Sequence, residues 1–372
     1  MKILHVINTL NTGGAERLLV DVSASMVENG YDVEVLVLNP KRTTLWKELE
    51  NKNVRIQTIR GLYNEYNPCH IFKLIPIIKK YDIVHVHLFP SQYWVALASL
   101  FLLRKTVLVT TEHSTGNSRA RHKITSGIDR WIYTHYDGIF CISKGTEEFM
   151  STRVTDRSRL FVVTNGIDVA RFASVKASRH ALLPEVPKEA CLLMQVARFG
   201  EQKNQACVIR AMKLLPPGFH LVFVGSGIRE EECRALAHQL DLDQHITFLG
   251  DRSDVPQLLS VADLVIMSSH WEGFGLSAAE AMASGKIVLA SDVPGLSQVV
   301  ADPDLRFEEN NEQQLKDLIL KYSDPTARSI KEVWAKEWVQ QYDVRHTSLQ
   351  YIQMYEHILN KKNGKEKENP LL

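Results

Sequence analysis

The chain has 372 residues, of which 45% are hydrophobic and 23% are charged. This length suggests roughly two domains, and the composition is that of a globular protein rather than a disordered or fibrous one. The formal net charge of +1 gives no reason to expect a polyelectrolyte partner such as nucleic acid.

In the first half of the chain, short apolar runs alternate with helix-length patterns. The expected strands are Ile3–Ile7, Asp32–Leu38, Ile83–His87, Val107–Thr111, Gly138–Ile142 and Leu160–Val163. The expected helices are Ala15–Asn29, Leu45–Glu50, Tyr93–Leu103 and His122–Tyr136. Strands without strict alternation are typical of parallel sheets that are buried on both faces. The alternation of strands and helices therefore predicts right-handed βαβ units.

The same pattern restarts in the second half of the chain. The expected strands are Ala190–Gln195, Leu221–Val224, Ile246–Leu249, Asp263–Met267 and Ile287–Ser291. The expected helices are Lys203–Leu215, Arg229–Gln239, Val255–Leu259 and Leu276–Ser284. We expect an α/β protein of two doubly wound Rossmann-like domains that face a central cleft, with the domain boundary near residue 174. Ligands of such domains bind at the carboxyl ends of the strands, so polar residues just after each strand are the candidates for a site.

Cysteine usage and apolar run lengths indicate where the protein works. The five cysteines are scattered without a C-x-x-C pair, which favours a reducing compartment over a disulfide framework or a zinc site. The first apolar run is too short for a signal peptide, and the longest one, residues 94–103, is too short to span a bilayer. We therefore expect a cytoplasmic protein.

In the first domain, a glycine pair and a histidine follow expected strands. Gly13 and Gly14 precede a helix, where backbone N–H groups and the helix dipole favour a phosphate, although a plain tight turn explains them as well. The spacing is not G-x-G-x-x-G, and the second strand lacks the acid expected for a dinucleotide ribose, which disfavours a nicotinamide enzyme. His113 follows the fourth strand; a lone histidine is more often structural, but its position makes it a candidate site residue.

In the second domain, Arg198 and Lys203 stand at a strand end and a helix start. Two cations at such a place suit a diphosphate, since Arg offers a planar fork and Lys a point charge. Gly225 and the segment Gly250-Asp251-Arg252-Ser253-Asp254 follow the next two strands.

The stretch HWEGFGLSAAEAM places Glu272 and Glu280 around a glycine-rich corner after an apolar strand. One interpretation is a capping box in which Ser277 and Glu280 cap a helix that Gly285 terminates, with Glu272 a solvated loop residue. The alternative is that both carboxylates bind a ligand at the strand end.

These motifs occur together and in order, which makes the pattern specific. The chain resembles the retaining nucleotide-sugar glycosyltransferases of family four, with the two-domain GT-B fold, over roughly residues 1 to 360. The residues that carry the resemblance are Gly13-Gly14-Ala15-Glu16, Ser143-Lys144, Asn165-Gly166-Ile167-Asp168, Val196-Ala197-Arg198-Phe199, Gln202-Lys203-Asn204 and the E-x7-E element from Glu272 to Glu280. One departure is the absence of a further glycine-bearing loop in the segment from Ala301 to Leu305.

The resemblance implies a role for each candidate residue. Glu272 would hold hydroxyls of the donor sugar, and Glu280 would hydrogen-bond the ribose. Arg198 and Lys203 would bind the diphosphate, assisted by the backbone at Gly14. The remaining assignments are His113 to a sugar hydroxyl, Gly275 and Leu276 N–H groups to the anion, and Gly225 and Arg252 to the donor nucleotide, with the segment Gly250 to Val255 framing the base.

The resemblance also implies the domain roles. Residues 1–174 would form the acceptor-side domain, residues 175–344 the donor-binding domain, residues 345–360 a helix that crosses back to the first domain, and residues 361–372 a disordered tail. No D-x-D motif follows a strand, so we expect no metal site and no cofactor other than the nucleotide-sugar substrate.

The expected activity is retaining, metal-independent transfer of a hexose or N-acetylhexosamine from a UDP sugar to a glycan or lipid-linked acceptor, in surface polysaccharide biosynthesis. The alternatives are a nucleotide-sugar epimerase of the same fold and a non-catalytic sugar-nucleotide-binding protein. A basic cluster with aromatic neighbours suggests peripheral contact with an anionic membrane on the inner face of the cell membrane, although a solvated helix face explains it as well. The cluster comprises Arg119, Arg121, Lys123, Arg130, Trp131 and Tyr133.

Overall fold

The computed structural model of the protein describes residues 1–102, 105–114 and 123–365. The chain divides into two compact units, Met1–Gly166 with Val344–Leu372, and Ile167–Asp343. The chain passes from the first unit to the second after Gly166, whereas the sequence placed this boundary near residue 174. Each unit is built on one parallel sheet, which confirms the predicted pair of Rossmann-like α/β domains.

In the first unit, the described residues form a sheet with the strand order β3-β2-β1-β4-β5-β6-β7. The strands are β1 (Lys2–Ile7), β2 (Asp32–Val37), β3 (Arg55–Thr58), β4 (Ile83–His87), β5 (Val107–Glu112), β6 (Gly138–Cys141) and β7 (Leu160–Val162). The helices before residue 167 are α1 (Gly14–Glu28), α2 (Thr44–Asn51), α3 (His70–Ile78), α4 (Ser91–Ser99), α5 (Lys123–Tyr133) and α6 (Lys144–Ser151).

In the first unit, the sequence patterns missed β3, α3 and α6. β3 is a short edge strand without a fully buried residue, so it carries no apolar run. α3 is apolar on most sides and contains Pro76, and both features obscure a helical period.

In the second unit, the sheet has the strand order β10-β9-β8-β11-β12-β13. The strands are β8 (Cys191–Val196), β9 (Phe219–Val224), β10 (Ile246–Phe248), β11 (Leu264–Met267), β12 (Val288–Ser291) and β13 (Arg306–Phe307). The helices are α7 (Val169–Ala173), α8 (Arg179–Leu182), α9 (Gln205–Lys213), α10 (Glu230–Gln239), α11 (Val255–Val261), α12 (Leu276–Ala283), α13 (Pro294–Val299), α14 (Glu312–Ser323) and α15 (Pro325–Trp338).

The last helix, α16 (Val344–Lys362), belongs to the first unit and packs on its core. Ser348 Oγ lies 2.8 Å from Ser25 Oγ of α1, and Tyr355 OH lies 2.5 Å from His85 Nδ1 of β4. On this helix Leu349 is 44% exposed, whereas Tyr351 and Tyr355 are buried. Of the expected tail, residues 366–372 lie outside the described residues, as do Arg119 and Arg121 of the expected basic cluster.

Within the described chain, no helix combines the length and the apolar character that crossing a bilayer requires.

Candidate functional site

The glycine-rich corner places the amino end of α12 directly after Glu272. Gly275 has φ +100° and is the N-cap residue, and an added Cβ would lie 2.8 Å from Leu296 Cδ2. The N-cap residue is Gly275, and Ser277 and Glu280 both lie inside α12, so the capping-box interpretation with Ser277 as the cap is wrong. Gly285 does follow its end, where its N–H donates to the Met282 carbonyl at 2.9 Å. Because the N-cap residue Gly275 has no side chain to accept from the first-turn N–H groups, this helix end suits an anion.

Glu272 is a buried carboxylate, 8% exposed, that is held by three donors. Lys203 Nζ forms a salt bridge with Oε1. Ser269 Oγ donates to Oε1 at 3.0 Å, and Gln202 Nε2 lies 3.3 Å from Oε2. Two residues predicted to bind different parts of one ligand are thus in direct contact.

The loop that carries Lys203 is tied to the end of β11 by buried polar side chains. Ser268 Oγ lies 3.0 Å from the Lys203 carbonyl oxygen, and Gln195 Nε2 donates to the same oxygen at 3.1 Å. The His270 N–H donates to the Gln202 carbonyl at 2.8 Å. These hydrogen bonds fix the two strand-end loops against each other.

Sequence reasoning missed Gln195, Ser268 and Ser269 as parts of this site. Gln195 was included in a strand, and a buried amide in an apolar strand is the signal that could have identified it. Ser268 and Ser269 directly follow β11, the position at which the other candidates were found.

Arg198 follows β8 and its side chain is exposed. Its carbonyl oxygen accepts a hydrogen bond from Gln205 Nε2 at 3.1 Å, and Gln205 is buried at the start of α9. Within the described part of the chain no carboxylate forms an ion pair with Arg198, so its guanidinium is available to an anionic ligand.

Gly225 and Arg252 lie at neighbouring strand ends. The Gly225 N–H donates to the Gly250 carbonyl at 2.8 Å, which joins the ends of β9 and β10. The guanidinium of Arg252 is paired with Asp254, with Nε 2.7 Å from Oδ1. A ligand at this position would therefore meet Arg252 as half of an ion pair rather than as an isolated cation.

The other two candidates lie in the first unit. Gly14 is the first residue of α1, and the N-cap residue of this helix is Gly13, which has no side chain to cap it. The neighbouring Arg17 is bound by Asp21 and Glu48 and so is occupied within its own unit.

His113 is one of a row of histidines rather than the lone histidine that the sequence suggested. His113 Nε2 lies 3.3 Å from His87 Nδ1, and His87 Nε2 lies 3.0 Å from His5 Nδ1. Burial lowers the pKa of His113 to about 4 and the pKa of His5 to about 3. The row is therefore uncharged near neutral pH.

Three of these histidines form a group that could hold a metal ion. Ring nitrogens of His5, His85 and His87 lie within 4.8 Å of one another. Both ring nitrogens of His85 are already within hydrogen-bond distance of hydroxyls, Tyr355 OH at 2.5 Å and Thr111 Oγ1 at 2.6 Å. Among the described residues, the His5 Nε2 atom lacks a hydrogen-bond partner. A metal would have to replace existing hydrogen bonds, so the expected absence of a metal stays a prediction.

Two family models match the chain. Residues 12–171 match Glycosyltransferase Family 4, and residues 184–331 match Glycosyl transferases group 1. The first match lies in the first unit, except for its last five residues, and the second match lies in the second unit.

Curated proteins and a solved structure agree with these models. The chain is 27% identical to EpsD of Bacillus subtilis (strain 168), which is assigned as a glycosyltransferase. The similarity extends over 242 residues, which cover 61% of this chain and 63% of EpsD. The chain is 28% identical over 288 residues to the phosphatidyl-myo-inositol mannosyltransferase of Mycolicibacterium smegmatis, covering 74% of this chain and 71% of that protein. The crystal structure of Anabaena HepE in complex with UDP and glucose superposes with a TM-score of 0.84 at 20% identity, over 96% of this chain and 99% of HepE.

The strand-end site, the two family models and the shared two-domain architecture lead to one assignment. The chain is a glycosyltransferase of the family-four type with the GT-B fold.

Proposed function

We propose that the protein is a retaining glycosyltransferase that moves a hexose or N-acetylhexosamine from a UDP sugar to a hydroxyl of a glycan or lipid-linked acceptor, in surface polysaccharide biosynthesis. The observation that carries this proposal is the Lys203–Glu272 salt bridge beside the uncapped start of α12. A cation, a buried carboxylate and the amino end of a helix at one strand end match the anionic and hydroxyl-rich parts of a nucleotide sugar.

The diphosphate is the part of the donor whose charge grows during the reaction. Lys203, the exposed Arg198 and the N–H groups of Gly275 and Leu276 stabilise this charge. Lys203 is held by Glu272 before the bond breaks. Glu272 accepts hydrogen bonds from sugar hydroxyls, and Glu280 binds the ribose. Gly225 and Arg252 contribute at the nucleotide. No metal is assigned a role, since these cations supply the positive charge.

His113 would act toward a sugar hydroxyl as a neutral hydrogen-bonding group. Its lowered pKa argues against a role as a general acid near neutral pH. The adjacent His87 fixes the position of its Nε2 atom.

The chemical step needs no protein nucleophile. The bond between the anomeric carbon and the diphosphate oxygen breaks, and the acceptor oxygen bonds to that carbon on the same face. The acceptor proton passes to the departing phosphate oxygen. Retention of configuration rests on the resemblance to the retaining enzymes of the family.

The acceptor class is supported by the relatives. The mycobacterial relative is named for transfer of mannose to phosphatidyl-myo-inositol, a lipid, and HepE was crystallised with UDP. These names support a UDP donor and a lipid-linked acceptor for this chain.

A panel of labelled UDP sugars, incubated with and without undecaprenyl-diphosphate-linked sugars, tests the proposal. We expect label to move to the lipid fraction only when both substrates are present. Formation of an epimeric UDP sugar without acceptor would establish the epimerase alternative. Tight UDP-sugar binding with no turnover on any acceptor would indicate a non-catalytic binding protein.

A further inference from the structure

The sheet of the first unit brings four histidines together. His5 lies in β1, His85 and His87 lie in β4, and His113 directly follows β5. β1 and β5 are both neighbours of β4, and His5 is in register with His85. Residues that are two apart in a strand point to the same face, so the spacing of the β4 histidines and the register of the sheet gather the imidazole rings on one face.

Three of these side chains form one hydrogen-bonded chain, called here the histidine row. His5 Nδ1 lies 3.0 Å from His87 Nε2, and His87 Nδ1 lies 3.3 Å from His113 Nε2. His85 packs against His87 with ring centroids 4.2 Å apart, but both of its nitrogens lie within hydrogen-bond distance of hydroxyl groups instead. The histidine row therefore runs from His5 inside the sheet to His113 at the edge where the strands end.

The two ends of the histidine row differ in their surroundings. His5 is fully buried, and among the described residues its Nε2 atom has no hydrogen-bond partner. His113 is half-buried, and its Nδ1 atom is the nitrogen that the contact with His87 leaves over. The His113 end is therefore the one that can meet a ligand.

The protons of the three rings are coupled to one another. Burial keeps these imidazoles neutral near neutral pH, and a neutral imidazole has one N–H group and one nitrogen lone pair. Each contact between two ring nitrogens needs one N–H group and one lone pair. If His87 donates through Nδ1, it must accept at Nε2. All three rings therefore carry their protons on the same type of nitrogen, either Nδ1 or Nε2.

The buried end decides between these two states. With the protons on Nε2, the N–H group of His5 would be buried without an acceptor, whereas with the protons on Nδ1 the same atom is an acceptor without a donor. Buried N–H groups without a partner are the rarer of the two in proteins. We infer that the histidine row holds its protons on Nδ1, so that His113 presents an Nδ1–H group to an oxygen of the transferred sugar. His87 is then a positioning residue, because it fixes the tautomer of His113.

This inference rests on the proposed function only for the identity of the partner, which is the sugar of the nucleotide sugar. The positions of the protons follow from the first unit alone. A histidine that is free to choose its tautomer offers an Nδ1–H group for only part of the time. The histidine row removes this loss, and binding of the sugar gains by the inverse of that fraction.

Nitrogen-15 NMR of the full-length protein with labelled histidine tests the proton positions, because protonated and unprotonated ring nitrogens differ in chemical shift. The signals of His113 are identified by their loss in His113→Asn. We expect Nδ1–H in all three rings near neutral pH. An Nε2–H group in His113, or a mixture of both forms in the wild-type protein, would overturn the inference.

His87→Phe tests the positioning role. The Nε2 atom of His113 then loses its partner, and its signals should change to those of a tautomer mixture. The affinity for UDP alone should stay near wild type. The KM for the UDP sugar that the transfer panel identifies should rise about 3-fold or more with little change in kcat, since binding-competent protein becomes a fraction of the total. An unchanged His113 spectrum would show that His87 has no such role.

A double-mutant cycle separates positioning from packing. The amide of His113→Asn has N–H groups whose presence does not depend on His87. In that background His87→Phe should therefore add little to the KM, and a further rise of equal size would assign His87 to packing alone. His220→Phe is the matched control, because His220 is a buried histidine of β9 in the second unit, and its replacement should leave the His113 spectrum unchanged.

The spectra separate this inference from the proposed function. If no UDP sugar is turned over, the proposed function fails, but the nitrogen signals still report the tautomer of His113. The wild-type spectrum also decides the proton positions if His87→Phe does not fold, which melting curves would show.

Discussion

Lys203 and Glu272 form a salt bridge between two strand-end loops of the second unit. In the proposed reaction the lysine binds the diphosphate and the glutamate binds the sugar. When the donor binds, the salt bridge must therefore either gain the donor as a third partner or break. In both cases the Glu272 carboxylate competes with the diphosphate for the Lys203 ammonium group.

Replacing Glu272 with Gln removes that competition. We expect UDP to bind as tightly as in wild type or more tightly, while transfer falls by about 10²-fold or more because the sugar loses a charged acceptor. Isothermal titration with UDP and a transfer assay measure the two effects. Lys203→Ala is the comparison, and it should weaken UDP binding; an equal loss of UDP affinity in both variants would contradict the competition.

Arg198→Ala should lower kcat by about 10²-fold with little change in stability, because the side chain is exposed and acts on the developing charge. Arg210→Ala is the matched control, since Arg210 is an exposed arginine of α9. Near-normal turnover of the Arg198 variant would remove this residue from the mechanism.

Much of the strand-end site could be predicted because the relevant residues follow strands in a recognisable order. The packing that holds them could not be predicted in the same way. The contacts of Gln202 and Lys203 with Glu272 join loops that are 70 and 69 residues apart in the sequence. The histidine row has the same origin, since His5 and His87 meet only because β1 and β4 are neighbours in the sheet. Local patterns indicate elements well, but they carry little information about which strand ends become adjacent.

Gly295→Ala should disturb the same site through the backbone. A Cβ at Gly295 would lie 2.3 Å from the Glu272 carbonyl oxygen and 2.6 Å from its carbonyl carbon. Backbone atoms cannot move aside easily, so we expect a loss of about 1–3 kcal/mol of stability together with reduced transfer. Thermal unfolding and the transfer assay check this. Gly200→Ala, where an added Cβ meets nothing within 4 Å, should leave both properties near wild type.

The buried histidines predict loss of stability in mild acid. Burial lowers the pKa of His113 in the folded protein to about 4, whereas the pKa of a histidine in the unfolded chain is near 6.5. Between these two pH values the unfolded chain binds a proton at His113 and the folded protein does not. Stability is therefore full above about pH 6.5 and falls as the pH drops toward 4. Melting curves between pH 7.5 and 5 should show this slope, and His113→Asn should reduce it.

His238→Gln is the control for that experiment. His238 is exposed, and its hydrogen bond with Asp243 raises its pKa rather than lowering it. Its removal should not flatten the acid slope. The interpretation fails if the His113 variant melts with the same pH dependence as wild type.

We also predict that a chelator such as EDTA leaves transfer activity unchanged, because Arg198 and Lys203 supply the positive charge at the diphosphate. The assay compares dialysed protein with and without chelator. Loss of activity that a divalent ion restores would contradict this, and substitution of His5 or His87 would then test whether the histidine group binds the ion.

The discontinuity of the first unit reverses the order in which the two units become complete during synthesis. The second unit has all of its residues once Asp343 is made, whereas the first still lacks α16 with its buried Tyr351 and Tyr355. Until α16 leaves the ribosome, it cannot pack on the sheet at His85, which Tyr355 contacts in the folded protein. The amino-terminal half of the chain, although made first, is thus the last to close its core.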